Sequence, residues 1–130
     1  VVDVLIVDSN QLFAQTLQAG LEQAEARVRL ATDAQMAVDE LDQRRADIII
    51  SELLLNQNNG FTLLQHLRSY SDWQKIPVIV LTQMSLGRVN LTQEQWQQYG
   101  VIKCLNKSNL DLVQLRQVIA SGTSSAARTS

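Results

Sequence analysis

The feature that most constrains this chain is an alternation of short, almost wholly apolar runs with longer stretches whose apolar residues recur at helical spacing. A strand with one wet face alternates apolar and polar residues, whereas a strand apolar at nearly every position must be covered on both faces. Val2 to Val7 and Ile48 to Ile50 are of the second kind. So is Pro77 to Leu81, whose proline stands at the strand entrance, where no ladder donor is lost. Val28 to Leu30 and Val101 to Leu105 are shorter and more mixed, and read as outer strands. Strands that alternate with helices and are buried on both sides form a parallel sheet, because parallel neighbours need a crossover between them. The fold class is therefore α/β, a doubly wound five-stranded parallel sheet with helices on both faces.

The crossovers are legible to different degrees. Phe13, Leu17, Leu21 and Ala24 mark a first helix with Asn10 as its cap, and Ala34, Ala37, Val38 and Leu41 a second capped by Asp33. Phe61, Leu64, Leu67 and Arg68 mark a third, after a loop from Asn56 to Gly60 whose Asn and Gly content suits left-handed backbone. Between Leu86 and Tyr99, Val89, Trp96 and Tyr99 suggest a fourth, but Gly87 and the polar run Gln93 to Gln98 blur its face. Leu112, Leu115, Val118 and Ile119 form the last. Residues 1–121 are thus read as one domain. Residues 122–130, small and polar after Gly122, are read as a disordered tail or interdomain linker.

Composition narrows the function. A chain of 130 residues, 45% hydrophobic and 18% charged, suits one ordinary core. A net charge of −2 leaves no reserve of positive charge for a phosphate backbone, so no nucleic acid binding by this domain is expected. The one cysteine, Cys104, permits no internal disulfide or Cys-rich metal site, which fits a reducing cytoplasm. Apolar runs of about six residues fall short of the roughly 20 that cross a bilayer, so no membrane partner is expected. The start at Val1, inside a strand-like run, reads as a piece of a longer protein.

In an open parallel sheet the ligand crevice lies beyond the carboxyl ends of the strands. There the chain places Asp8, Ser9 and Asn10 after the first strand, Ser51 and Glu52 after the third, Thr82 and Gln83 after the fourth, and Asn106, Lys107 and Ser108 after the fifth. Two acids, a hydroxyl and an ammonium on one rim suit a small anion, a metal, or one another. Ser51 is no hydrolase nucleophile, because the only histidine, His66, belongs to the third helix, and no enzyme activity is expected. His66 reads as a surface residue. A nucleotide-binding flavodoxin-like domain lacks its phosphate loop here, since only Asp8-Ser9-Asn10 follows the first strand.

Four segments in order, VLIVDSN (Val4 to Asn10), ADIIISELLLNQNNGFTLLQHLR (Ala46 to Arg68), IPVIVLTQ (Ile76 to Gln83) and Gly100 with CLNKS (Cys104 to Ser108), resemble the receiver domain of bacterial response regulators. The resemblance spans Val2 to about Ile119 and implies the flavodoxin-like strand order 2-1-3-4-5. It also implies a phosphoryl acceptor on the third strand, Mg²⁺ held with an acidic pair ending the first, and a switch threonine and a lysine that meet the phosphoryl group. Thr82 and Lys107 match the last two. The acceptor position is Glu52, the acidic pair reads Asp8 then Ser9, the small residue after the threonine is Gln83, and the strand-five aromatic is Cys104.

These departures imply a degenerate or pseudo-receiver. A hydroxyl in place of a metal-ligating carboxylate weakens an octahedral Mg²⁺ site, so no cofactor is expected. A glutamate that reaches about 1.5 Å further misplaces the attacking oxygen and brings a fixed charge toward Thr82 and Lys107, where a phosphoryl oxygen sits in the family. The expected role is phosphorylation-independent protein–protein interaction in two-component or phosphorelay signalling. The alternative is a phosphorylatable receiver that takes its phosphoryl group from a histidine kinase and regulates an output domain. Partners are a histidine kinase or an output domain, docking on the fourth helix, fifth strand and fifth helix. Lys103 and Arg116 on that face would repel in a symmetric pair, so a monomer is expected.

Plainer roles compete for several of these residues. Glu52 and Lys107 could form a structural ion pair at a rim open to water, worth about 0–1 kcal/mol. Asp8 could cap a loop or keep a weak cation site. Cys104 suits a small buried apolar residue better than a redox switch. Trp73 and Trp96 could touch partners or cover the sheet edge.

Overall fold

The computed structural model describes residues 1–23, 26–55, 60–85 and 91–129, the last six as backbone. The elements are β1 (Asp3–Val7), α1 (Gln11–Glu22), β2 (Arg27–Ala31), α2 (Ala34–Gln43), β3 (Ile48–Ser51), α3 (Gly60–Ser69), β4 (Val78–Thr82), α4 (Gln93–Gln98), β5 (Val101–Asn106) and α5 (Leu112–Thr129). All strand pairings are parallel, in the order β2-β1-β3-β4-β5. This is the five-stranded, doubly wound sheet expected from the apolar runs.

Two cores flank it. Val4, Ile6, Ile48, Ile50, Ile79 and Leu81 face Leu17 and Leu21 of α1 and Leu115 and Ile119 of α5. The alternate residues Leu5, Val7, Ile49, Val78 and Val80 face Ala37 and Leu41 of α2 and Leu63, Leu64 and Leu67 of α3. The period-2 alternation of a strand divides one continuous apolar run between the two layers. Trp73 is buried in the second core, and Trp96 packs half-buried against it, so both cover the sheet. His66 is half-buried and stacks on Tyr70 with 5.1 Å between ring centroids.

The caps fall where the sequence put them. Asn10 accepts from the Phe13 amide at 3.1 Å and Asp33 from the Met36 amide at 2.8 Å. α4 is only six residues long and starts later than its predicted span, at a capping box formed by Thr92 and Gln95. Gly87 and Val89 of that span, Ala24 of the first helix and Asn56 to Asn59 of the predicted loop lie outside the described residues.

Three expectations need correction. α5 continues to Thr129, through residues read as a tail or linker from 122 onward; a backbone helix stands where disorder was one option. The helix is anchored by the packed Leu115 and Ile119 and continues from them through residues of low helix propensity, and Gly122 lets it lie close to the sheet: a Cβ there would come within 2.6 Å of Ile102 Cδ1. Arg116 is not free on the α4, β5 and α5 face, because its guanidinium donates to the Gly20 carbonyl of α1 at 2.8 Å. Asp3, read only as part of an apolar strand, is a buried acid at the opposite end of the sheet from Glu52, held by Arg29 at 3.2 Å and Arg44 at 2.9 Å.

Gly60 fixes the entry to α3. Its amide donates to the Leu53 carbonyl at 2.8 Å, and a Cβ at this position would come within 2.5 Å of the Glu52 carbonyl oxygen and 2.8 Å of Leu53 Cα. Because both obstacles are backbone, Gly60→Ala is expected to cost about 1–3 kcal/mol by overpacking. Urea unfolding measures it; a loss below about 0.5 kcal/mol, the usual scale of a surface change, would contradict the close approach.

Candidate functional site

Parallel strands bring their carboxyl ends to one edge, and four of the five ends meet there. Asp8 follows β1, Glu52 follows β3, Thr82 closes β4, and Lys107 follows β5 in a single 3-10 turn, Lys107–Asn109. Asp8, Glu52 and Thr82 are 4%, 2% and 0% exposed, so the centre is buried where the sequence reading expected a rim pair open to water. The side chains of Leu54 and Gln83 are exposed, and these residues reach Glu52 through their backbone amides.

Glu52 organises the centre. Its Oε1 accepts the backbone amides of Leu53 at 2.9 Å and Leu54 at 3.0 Å, together with the Thr82 hydroxyl. Its Oε2 accepts the Gln83 amide at 3.0 Å and faces Lys107 Nζ at 2.9 Å. The Thr82 proton has a defined direction: the Met84 amide donates to Thr82 Oγ1 at 3.0 Å, which leaves the hydroxyl proton for Glu52.

Lys107 is held on three sides. Its ammonium lies 2.7 Å from Asp8 Oδ2, 2.9 Å from Glu52 Oε2 and 4.4 Å from the centroid of the Phe13 ring. Asp8 Oδ1 accepts the Asn10 amide at 2.9 Å, so Asp8 caps the loop and pairs with Lys107 at once. Asn106 steadies the turn, accepting from the Ser108 amide at 2.8 Å and donating to the Met84 carbonyl at 2.9 Å. Ser9, the second member of the pair after β1, donates its hydroxyl to the Thr32 carbonyl at 2.9 Å. Ser51 Oγ donates to the Glu52 carbonyl at 3.1 Å.

The electrostatics follow. Burial pushes the Glu52 carboxyl up, but the hydrogen bonds from Thr82, the Leu54 amide, Lys107 and the Gln83 amide outweigh it and hold the group below the usual glutamate range. For Lys107, burial pushes down, and the bonds and charges of Asp8 and Glu52 reverse this to leave it above the usual lysine value. Cys104 is half-buried against the second core, and burial pushes its thiol up, which keeps it protonated and poorly reactive.

A family description, the response regulator receiver domain, matches residues 4–120. The chain belongs to the response regulator receiver family. Among curated relatives, the receiver resembles Response regulator Rre1 of Synechocystis sp., 33% identical over 82 residues, or 62% of this chain and 36% of that protein. Regulator of RpoS of Escherichia coli K12 is 28% identical over 116 residues, 89% of this chain and 33% of that one. The chain thus spans about a third of the length of these relatives. The signal receiver domain of a signal transduction histidine kinase from Syntrophus aciditrophicus superposes with a TM-score of 0.82 at 26% identity, covering 100% of this chain and 96% of that one. A sensor protein from Polaromonas sp. JS666 shares the fold, with a TM-score of 0.85 at 19% identity over 95% of this chain and 96% of that one.

The sequence reading named Asp8, Glu52, Thr82 and Lys107, which the structure brings into contact; of the other three residues it named, Ser9 bonds to the Thr32 carbonyl, Gln83 meets Glu52 through its backbone amide, and Cys104 packs half-buried against the second core. It missed the amides of Leu53, Leu54 and Gln83, which no side-chain pattern marks, and the part of Phe13 over Lys107. Phe13 lies three residues beyond the Asn10 cap, a signal that could have placed its ring beside the rim.

Because the pair is buried, Glu52→Gln is expected to destabilise by about 2–4 kcal/mol at neutral pH, less than an unpaired charge would cost because Lys107 keeps Asp8. The lowered Glu52 value contributes stability above about pH 4.5, the ordinary glutamate value, that is lost as pH falls through the folded value. The raised Lys107 value contributes stability below about pH 10.5 that is lost as pH rises through its own. Denaturant titrations of both proteins from pH 2 to 11 should show the gap between them closing in acid; a gap independent of pH would contradict an ionised Glu52.

Proposed function

We propose that this receiver is a pseudo-receiver, a cytoplasmic signalling module that works by protein–protein interaction without phosphorylation and without catalysis. One observation carries the reading: the Glu52 carboxylate itself takes the Thr82 hydroxyl, the Lys107 ammonium and the Leu54 and Gln83 amides. A hydroxyl, an ammonium and backbone amides are a donor set for a phosphoryl group, and an incoming phosphoryl group would find its donors engaged. Glu52 therefore supplies a permanent negative charge where the family acquires one transiently.

Magnesium does not fit these residues. A hard octahedral cation needs several oxygens free of other cations. Here Asp8 and Glu52 share Lys107, Asp8 also accepts the Asn10 amide, and Ser9 Oγ is turned to Thr32. Lys107 thus occupies, as an internal cation, the charge balance a metal would supply. The docking surface follows from the same coupling of the strand ends. The face of α4, β5 and α5 carries exposed Ile102, Lys103 and Val113, suited to a kinase or output domain in trans or in cis.

Incubation with acetyl phosphate and Mg²⁺ tests the reading by intact-protein mass spectrometry. The expected spectrum is unchanged, and a stoichiometric phosphoryl adduct on Glu52 would show a working acceptor instead. The double change Ser9→Asp with Glu52→Asp is expected to restore measurable Mg²⁺ binding by calorimetry, since it adds one carboxylate and withdraws another from Lys107. Absence of any gain would place the block elsewhere, with Gln83 the first residue to examine.

A further inference from the structure

We propose that an aromatic cluster, Phe61 with Trp96 and Tyr99, couples the Glu52 anion to α4 and β5. This inference rests on the reading that the Glu52 charge sets the state of the receiver.

The path begins in backbone. Leu53 and Leu54 donate their amides to the Glu52 carboxylate, and the Leu53 carbonyl accepts the Gly60 amide at 2.8 Å. The first residue of α3 is so close to the Glu52 carbonyl that a Cβ would come within 2.5 Å of it. A shift of Glu52 that moves its own backbone or that of Leu53 therefore moves the start of α3, because closely packed groups transmit displacement. Phe61 is the next residue.

The path continues through rings. Phe61 stacks on Trp96 with centroids 6.1 Å apart and planes inclined by 25°, and meets Tyr99 at 6.0 Å and 57°. Both geometries are those in which aromatic pairs attract beyond simple burial. α4 has no fully buried residue; its Trp96, and Tyr99 at its C-cap, pack half-buried against the second core. The short helix is therefore held by these two aromatics. Directly after it, Gly100 turns the chain with φ +77°, and its carbonyl accepts the Val78 amide at 2.9 Å as β5 begins. Displacing Phe61 would loosen α4 and, through Tyr99 and Gly100, the start of β5.

This arrangement bears on the missing strand-five aromatic. Cys104 is too small to couple β5 to α4 by itself, and it packs on the same core as Phe61, Trp96, Tyr99 and Met84. The aromatic mass lies on α3 and α4 instead. Phe61 is thus a positioning residue, acting through Trp96.

Fluorine NMR of protein labelled with 5-fluorotryptophan gives one signal each for Trp73 and Trp96, assigned by Trp96→Phe. Glu52→Gln is expected to displace the Trp96 signal by more than its linewidth and leave that of Trp73, which stacks at the other end of α3, in place. In a Phe61→Leu background the same Glu52 change should no longer move it. Equal displacement with and without Phe61 would overturn the aromatic path. So would a stationary Trp96 signal while the amide resonances of Leu54 and Gln83 shift. If those amides also stay in place, Glu52 does not hold the site, and the pseudo-receiver reading falls with this one. Should Phe61→Leu fail to fold, Trp96→Leu reads the link from its far end: the Gly60 amide is expected to shift, and an unmoved one would refute the coupling.

Discussion

A carboxylate side chain that is 1% exposed can stay ionised only if donors converge on it, and for Glu52 they come from three strand ends. Leu53 and Leu54 donate from just beyond β3, Thr82 and Gln83 from the end of β4, and Lys107 from the turn after β5. The requirement to solvate one buried charge sets the loops that cap the sheet relative to each other. Lys107 then passes the requirement on, through Asp8 and Phe13, to the start of α1. Mutating any one member leaves the others with unmet polar groups, so the centre behaves as a unit and single-residue energies will not add.

The sheet makes the convergence possible. Parallel order 2-1-3-4-5 aligns every strand in one direction, and the termini of β1, β3 and β4 end beside one another under register constraint, with Ser51 opposite Val7 and Val80. The apolar interior does not discriminate between functions; Ile, Val and Leu on both faces would support any flavodoxin-like domain. The functional reading of this receiver rests instead on the polar residues at the strand ends. The opposite end carries its own buried acid, Asp3, bound by Arg29 and Arg44, which ties β1 to β2 and to the residue that ends α2.

Most of the architecture was legible because it depends on patterns that a chain displays directly. Unbroken β-branched runs gave the central strands, and Asn10 and Asp33 marked two helix starts by their side-chain chemistry. The polar Gln93 to Gln98 segment hid α4, whose hold on the domain comes from two aromatics rather than from an apolar stripe. The helical course of residues 122–129 was hidden for a related reason, since nothing in Gly122, Thr123, Ser124 and Ser125 marks a helix until a packed one runs into them. The site was legible in its side chains and not in its depth. Reading Glu52 and Lys107 as neighbours required only their positions after β3 and β5, whereas the bonds that hold the buried Glu52 come in part from the amides of Leu53, Leu54 and Gln83, which leave no mark at the motif. Arg116 shows the same limit: its charge was visible, but its engagement with the Gly20 carbonyl depends on how α1 and α5 cross.

The central claim, that Glu52 is a permanent anion bound by this donor set, is tested most directly by following its own titration. Carbon-13 NMR of the Glu52 carboxyl carbon across the acid range, in the intact receiver, should show ionisation persisting below the ordinary glutamate value, with the Leu54 and Gln83 amides titrating alongside it. A Glu52 carboxyl that takes up its proton above the ordinary value would mean that burial outweighs its donors. It would contradict the account at its root, since a neutral Glu52 supplies no charge for Lys107 to answer.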